Sequence, residues 1–412
     1  MERKSRSTSK REPRRTGQEY VPSGARDRFE APCPHYPHCV GCPFINLPYP
    51  QQLSRKRSIV GRALTEYSSL HGVSVPPVVP SPERLGYRAR VKLVVRRNRA
   101  NVAIGLYVPR SHRVMDISSC PVHPRAVNQV VHYLKDKVVE LGISPYDERD
   151  DSGDLRYLDF RYSAARRELS VTLVTRHGSF PQGEQLARTL MRRFSFVTGV
   201  IQNINEDRGN VIWGRSFRTL AGRDTLMERI GDLKLVLPPG VFSQANPFTA
   251  RKLYEHVREV AALQGRETVL DLYCGIGPIS LYLATNARQV WAIDDNELSV
   301  MTAKQNARRN GRGNCRFIVG DVATITAQLR ETLSAVELIV LNPPRKGVQN
   351  EAMTAILAFN SPKLIYISCD PRSLARDLDR LVAANYRVER IQPFDMFPQT
   401  EEVETVALLV KK

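Results

Sequence analysis

The chain has 412 residues, with 61 Lys and Arg against 42 Asp and Glu, a formal net charge of +19. At about 150 residues per domain, this length makes two or three domains, and an apolar content of 42% excludes a wholly disordered chain. Seven cysteines are too few for a disulfide scaffold of this size, and no apolar run reaches the length of a membrane span.

Residues 1–30 are rich in Arg, Lys, Ser and Thr and read as a disordered basic arm. No apolar stretch follows the charged start, which argues against a signal peptide. Sparse cysteine fits a reducing compartment, so a soluble, cytoplasmic protein is expected. The charge excess points to an acidic partner, nucleic acid foremost.

Residues 31–80 hold three cysteines, an amphipathic stretch and the Pro-rich connector VPPVVPSPE. Residues 84–234 have α+β texture. Alternation predicts a strand over 87–95 and two strands over 156–176 that meet at a turn near 164–167. Helical spacing covers 124–141 and 182–196. Nine Lys and Arg, and no acid, lie between positions 84 and 113. Arg88, Arg90 and Lys92 alternate with Ala89, Val91 and Leu93, so one strand face is basic and the other apolar. Uncompensated cations on a strand suit a phosphate backbone. Tyr87 and Tyr107 are candidates either for base stacking or for the core. The central unit, with the cysteine segment, is placed at 31–234.

From residue 235 short apolar runs alternate with helix-length segments, as in a parallel sheet wound by helices. The last two strands, near 386–393 and 403–410, have no helix between them. An antiparallel hairpin closing such a sheet is the pattern of methyltransferases that use S-adenosyl-L-methionine. The expected fold is therefore α/β, a doubly wound sheet over 235–412 beside an α+β central domain.

The first of these strands runs into Asp271, Tyr273, Cys274, Gly275 and Gly277, followed by a helix. Glycines there let a ligand approach the backbone at the carboxyl edge of the sheet. Ser280 replaces the third glycine of a dinucleotide fingerprint. Asp294 ends the second strand, where a carboxylate accepts ribose hydroxyls. Asp321 ends the third, within reach of an adenine amino group. Asn342 opens Asn-Pro-Pro-Arg345 at the end of the fourth. Two prolines stiffen that loop, and Asn342 offers its amide to the cofactor or a substrate base. Singly these residues are turns and caps; in order, at strand ends, they describe a nucleoside cofactor pocket.

Cys369 ends the fifth strand, with Asp370 and Pro371 set to cap and open the next helix. The helix dipole, Arg372 and Arg376 are expected to favour its thiolate. Cys274 and Cys315 read as structural. Near the C-terminus Glu402 and Glu404 share one face of an extended segment, and spacing alone does not choose a base between them. Cys33, Cys39 and Cys42 form a tight group of soft ligands, and Cys120 is the natural fourth. Three close cysteines and a distant one suit an iron–sulfur cluster better than zinc. The zinc alternative would draw on His35, His38 or His123.

These stretches resemble the RNA uracil-C5 methyltransferases, which make 5-methyluridine. The resemblance runs through residues 241–246, 271–278, 342–347, 368–377 and 395–404, and covers almost everything after residue 31. It implies Cys369 as nucleophile and Glu404 as base. It implies Gln244, Tyr273, Asp294 and Asn342 as S-adenosyl-L-methionine contacts, Asp321 near the adenine, and Gly275 and Gly277 in the cofactor loop. The cysteine spacing is similar to the [4Fe-4S] site of the family's 23S rRNA branch, which implies Cys33, Cys39, Cys42 and Cys120 as ligands and rRNA as substrate. The alternatives are a tRNA uridine methyltransferase and a non-catalytic iron–sulfur RNA-binding protein. Glu402 stands where the family usually has His, Asn342 where many relatives have Asp, and Asp294 where Glu is common.

Overall fold

The computed structural model describes residues 31–98, 101–208 and 211–412. The basic arm expected over 1–30 lies outside them.

Helix α1 (Tyr49–Thr65) comes first. A seven-stranded sheet follows, built from β1 (Arg90–Asn98), β2 (Asn101–Tyr107), β3 (Val114–Asp116), β4 (Leu155–Ser163), β5 (Glu168–Thr175), β6 (Val197–Ile204) and β7 (Ser216–Gly222), in the order β3-β2-β1-β4-β5-β6-β7. Helices α2 (Arg125–Glu140) and α3 (Pro181–Arg193) cover one face. They bury Val91 and Leu93 of β1, Leu158 and Phe160 of β4, and Val171 and Leu173 of β5. The period of two in these strands puts Arg90, Lys92, Asp159 and Arg161 on the other face. The expected turn joins β4 to β5, with Arg167 at φ 55°.

Hairpin β8 (Leu226–Ile230) and β9 (Leu233–Leu237) leads into α4 (Pro247–Ala261). The chain then alternates: β10 (Thr268–Leu272), α5 (Pro278–Leu283), β11 (Gln289–Asp294), α6 (Glu297–Arg309), β12 (Cys315–Val319), α7 (Val322–Thr332), β13 (Leu338–Leu341), α8 (Asn350–Ala358), β14 (Lys363–Ser368), α9 (Pro371–Ala383), β15 (Tyr386–Phe394) and β16 (Glu404–Lys411). Their order is β12-β11-β10-β13-β14-β16-β15. Strands β10 to β14 pair in parallel, and β16 pairs antiparallel with both β14 and β15. The strand order reverses at β10, so a crevice opens at the carboxyl ends of β10 and β13. Both faces of a parallel sheet must be covered. Here α4, α5 and α6 take one face and α7, α8 and α9 the other.

The packing divides the chain differently from the sequence reading. The apolar side of α1, through Val60, Ala63 and Leu64, lies in the core beneath α9 with Leu70 and Val75. Val79 bridges to Phe394 of β15. The β8–β9 hairpin, which a boundary at 234/235 would split, buries Leu226, Ile230 and Leu235 with α4 and α5. Amphipathicity shows that a face is buried, but not against which sheet.

Candidate active site

The loop after β10 is shaped by backbone that ordinary side chains avoid. Tyr273, Gly275 and Gly277 have φ of 63°, 55° and 84°. A Cβ on Gly277 would stand 3.0 Å from the ring of Phe317, so glycine is required there on both counts. Asp294 accepts the Gly275 N–H through Oδ2 at 2.8 Å and holds the loop against β11. Ser280, in place of a third glycine, donates to the buried Asp271 at 2.5 Å. The cavity over this loop is lined by Gln244, Tyr273, Gly275 and Asn342 from the C-terminal unit and by Ala89 and Arg161 from the central sheet. Arg161 reaches across to the carbonyls of Pro238 and Val241, just before Gln244. The crevice is therefore closed by both units. Asp321 spends Oδ2 capping α7 through the N–H and hydroxyl of Thr324. The residue is otherwise exposed, so its carboxylate stays open to a ligand at this edge of the sheet.

Cys369 follows β14 directly. Asp370 caps α9 by accepting from the N–H groups of Arg372 and Ser373, as expected. Ser368 pairs with Thr405 across β14 and β16, so the next step along both strands sets Cys369 beside Glu404. Glu404 is buried and Cys369 half-buried. Burial, then the nearby Glu404, pushes the thiol up to about 11, and Arg345 opposes the rise. This reverses the expectation of a thiolate favoured by Arg372 and Arg376. Arg376 turns to Asp377 and the Lys346 carbonyl, and Arg372 is exposed. The cation that faces the thiol is Arg345, a role its place in Asn-Pro-Pro-Arg left unread.

The two carboxylates part company. Glu402 forms an ion pair with Arg345 at 3.0 Å on the surface. Glu404 lies beneath, where burial, then Glu402, pushes it up to about 7. Tyr254 of α4 is buried and near enough to feel Glu404. It lines the same cavity as Gln244 and Tyr273.

The segment before Glu404 is anchored from below, in large part by residues of α1 that the sequence did not mark. Lys56 of α1 is fully buried and meets Asp395 at 2.5 Å and the Phe397 carbonyl at 2.8 Å. Tyr49 donates to the other oxygen of Asp395 at 2.7 Å. Gln52 and Gln399 exchange two hydrogen bonds. Phe44 donates its N–H to the Gln399 carbonyl, and Tyr87 donates its hydroxyl to the Pro398 carbonyl. Asn246 reaches the Met396 carbonyl.

The basic strand is less open than its composition implies. Arg90 stands 3.6 Å from Asp159, and Arg96 pairs with Glu148. Both acids lie outside the sequence window that made the run look uncompensated. Lys92 packs over Trp213, and burial, then Arg90, lowers it to about 8. Tyr87 is core, while Tyr107 is half-buried and accepts from Arg96.

Cys33, Cys39, Cys42 and Cys120 are free thiols and close enough that the other three all act on Cys42. Burial, with these neighbours, pushes Cys42 up to about 12. His35 accepts the Ser118 N–H and so docks the segment beside Cys120. His123 is buried, and burial, then Arg88, lowers it to about 3. Among the described residues no three His, Cys, Asp or Glu side chains stand in a ready metal-coordinating arrangement. Cys274 and Cys315 are buried apart from this group, as expected.

Over residues 48–412 the chain matches the family described as tRNA (Uracil-5-)-methyltransferase. It is similar to an uncharacterized RNA methyltransferase of Geobacter sulfurreducens, 40% identical over 389 residues, covering 94% of this chain and 79% of the relative. A second, from Halalkalibacterium halodurans, is 36% identical over 94% of this chain and 84% of its own length. Among solved structures, the Pyrococcus abyssi tRNA (uracil-54, C5)-methyltransferase in complex with S-adenosyl-L-homocysteine aligns with a TM-score of 0.73 and 29% identity, over 91% of this chain and 86% of that one. With the mixed sheet, the glycine-turn cavity and Cys369 beside Glu404 already in view, the chain belongs to the RNA uracil-C5 methyltransferases, enzymes that depend on S-adenosyl-L-methionine.

Proposed function

We propose that this enzyme methylates C5 of a uridine in 23S rRNA through a covalent adduct between Cys369 and C6, giving 5-methyluridine. The observation that carries the reaction is Glu404 buried beside Cys369, with Arg345 over both. Uracil C5 is a weak nucleophile. The Cys369 thiolate bonds to C6, the C5–C6 π electrons shift to C4–C5, and the C4 carbonyl π electrons move onto O4, which makes an enolate. When bound, S-adenosyl-L-methionine would supply an electrophilic methyl group for C5, its S–CH3 bond breaking to leave the neutral thioether S-adenosyl-L-homocysteine. Glu404 then takes the C5 proton, the C5–C6 double bond returns, and the sulfur leaves C6. The target base must leave its stack to reach the thiol.

Gln244, Tyr273, Gly275, Gly277, Asp294, Asp321 and Asn342 would hold the methyl donor. Asp294→Ala removes both a ribose acceptor and the brace on Gly275. Titration calorimetry is expected to show S-adenosyl-L-methionine binding weakened about 10- to 100-fold, the worth of one charge-assisted hydrogen bond. Unchanged affinity would remove Asp294 from the pocket.

The same reading gives Cys33, Cys39, Cys42 and Cys120 a [4Fe-4S] cluster, with a structural role in placing RNA. It is supported by the chemistry of the donor set, four free thiols from two segments drawn together by His35. A reducing cytoplasm suits such thiols. Protein purified without oxygen is expected to carry iron and acid-labile sulfide; zinc alone would overturn this part. The tRNA reading is favoured by the likeness to the P. abyssi enzyme. Methyl-labelled S-adenosyl-L-methionine, offered with unmodified 23S rRNA or with tRNA transcripts, separates the two by nucleoside mass spectrometry. Labelled 5-methyluridine is expected in rRNA, and label in tRNA alone would move the substrate.

A further inference from the structure

The C-terminal unit carries a basic groove far from the crevice. Between positions 298 and 320 there are five cations, Lys304, Arg308, Arg309, Arg312 and Arg316, and no acid. The end of α6, the turn after it and β12 fold four of them around a cleft of about 700 Å³, with Arg309 beside it in the chain. Lys304, Arg308, Arg312 and Arg316 line it over a floor of Trp291 and Phe317, and no carboxylate does. Lys304, Arg308, Arg309 and Arg316 are exposed. Among the described residues they have no ion pair or side-chain hydrogen bond.

Several arginines elsewhere on the chain are paired with acids. Asp151 takes Arg176 and Arg208, Glu168 takes Arg166 and Arg223, and Asp377 takes Arg376 and Arg380. In the groove no acid among the described residues plays that part. Lys304 and Arg308 sit one helical turn apart, where like charges repel. A polyanion relieves that repulsion and releases its own counterions.

We propose that this groove is a second RNA contact, which takes phosphates of the folded substrate outside the catalytic crevice. Strand β12 is the free edge of the sheet, four strands from β14. At about 4.8 Å per strand the groove lies roughly 19 Å across the sheet from Cys369. The strands run about 3.3 Å per residue, and the groove includes Cys315 and Arg316 at the amino end of β12, whereas Cys369 follows the carboxyl end of β14. One flipped nucleotide and its neighbours cannot cover both places. A folded RNA can, so the groove recognises the body of the RNA and leaves the target base to the crevice. This rests on the RNA substrate and not on which RNA it is.

The test variant is Lys304→Gln with Arg308→Gln, Arg309→Gln and Arg316→Gln. Arg312 is kept because it donates to the Leu281 carbonyl. Fluorescence anisotropy across a salt series would compare two labelled probes: the full 23S rRNA domain or tRNA transcript that becomes methylated, and a minimal stem-loop cut around its modified uridine. The long RNA is expected to bind about 10-fold more weakly. Its slope of log affinity against log salt should flatten by about 3, for four lost phosphate contacts. The stem-loop is expected to bind and react as before. A companion variant, Arg308→Lys with Arg309→Lys and Arg316→Lys, should bind the long RNA as the wild type does. Unchanged affinity and salt slope for the long RNA would overturn the proposal, and so would an equal loss on both probes. If neither transcript is methylated, the uridine reading fails; the same comparison on both transcripts and their stem-loops then still decides the groove, because binding is read without turnover.

Discussion

Cys369→Ala is expected to abolish methyl transfer, by about 10⁴-fold or more, whereas Glu404→Gln should leave methylated RNA bonded to the protein. The contrast follows from where each residue acts. Without the sulfur, C5 never becomes nucleophilic. Without the carboxylate, methylation goes forward but the C5 proton stays, and the adduct cannot collapse. Denaturing electrophoresis with labelled RNA reads the difference directly: no shifted band for Cys369→Ala, an accumulating one for Glu404→Gln. Turnover of Glu404→Gln should fall by about 10²- to 10⁴-fold, the usual worth of a positioned base. An adduct that accumulates in Glu402→Gln and not in Glu404→Gln would exchange the two roles.

The pH profile gives a second handle on the same pair. Glu404 must be ionised to take a proton, and burial pushes it up to about 7. Cys369 must lose its proton, and burial pushes it up to about 11. Both shifts have the same sign for activity, so kcat/KM should rise with pH through about 7 and keep rising on the alkaline side. Glu402→Gln removes a negative charge that raises both groups and frees Arg345, which lowers both. The acid limb should then move to lower pH. A limb that stays in place in Glu402→Gln would show that Glu404 is not the group titrating there.

Much of this arrangement was legible before the fold. Strand-ending Asp271, Asp294, Asp321, Asn342 and Cys369 follow from a parallel sheet, because every ligand edge in such a sheet is a strand end. The closing hairpin was visible because two strands lack a helix between them. What stayed hidden is long-range. Arg345 was in plain sight in Asn-Pro-Pro-Arg, but its partner is Glu402, in another loop. Glu402 and Glu404 looked alike, because a period of two states which face they share and not how deep each one sits. The Arg90–Asp159 pair joins two strands that no local charge count connects. Helix α1 has the amphipathic pattern of a surface helix, and nothing local says that one of its lysines points inward.

That lysine carries the largest expected effect on stability. Lys56→Met should destabilise the protein by about 3–5 kcal/mol, because it strands the carboxylate of Asp395 in the core. Neither side chain of the pair is exposed. Burial lowers the Lys56 pKa while Asp395 resists, so the ammonium is held mainly by its partner. Tyr49 is a weaker substitute, since it supplies one hydrogen bond and no charge. Removing both charges with Lys56→Met and Asp395→Leu should return much of the lost stability, as buried pairs replaced by apolar side chains of similar size commonly do. Function should not return with it. The lysine also holds the Phe397 carbonyl, and Tyr49 loses its acceptor, so the segment that delivers Glu404 is left with fewer ties to α1. Thermal melts should therefore rank wild type, then the double variant, then Lys56→Met, whereas kcat should be low in both variants. A Lys56→Met melt within about 0.5 kcal/mol of wild type would show that the pair is not what secures the loop. A double variant restored in both melt and kcat would show that the buried charges serve only the core. The expected split gives the pair a positional role: the two charges hold the base segment in one place relative to the thiol, and an apolar core of equal stability does not.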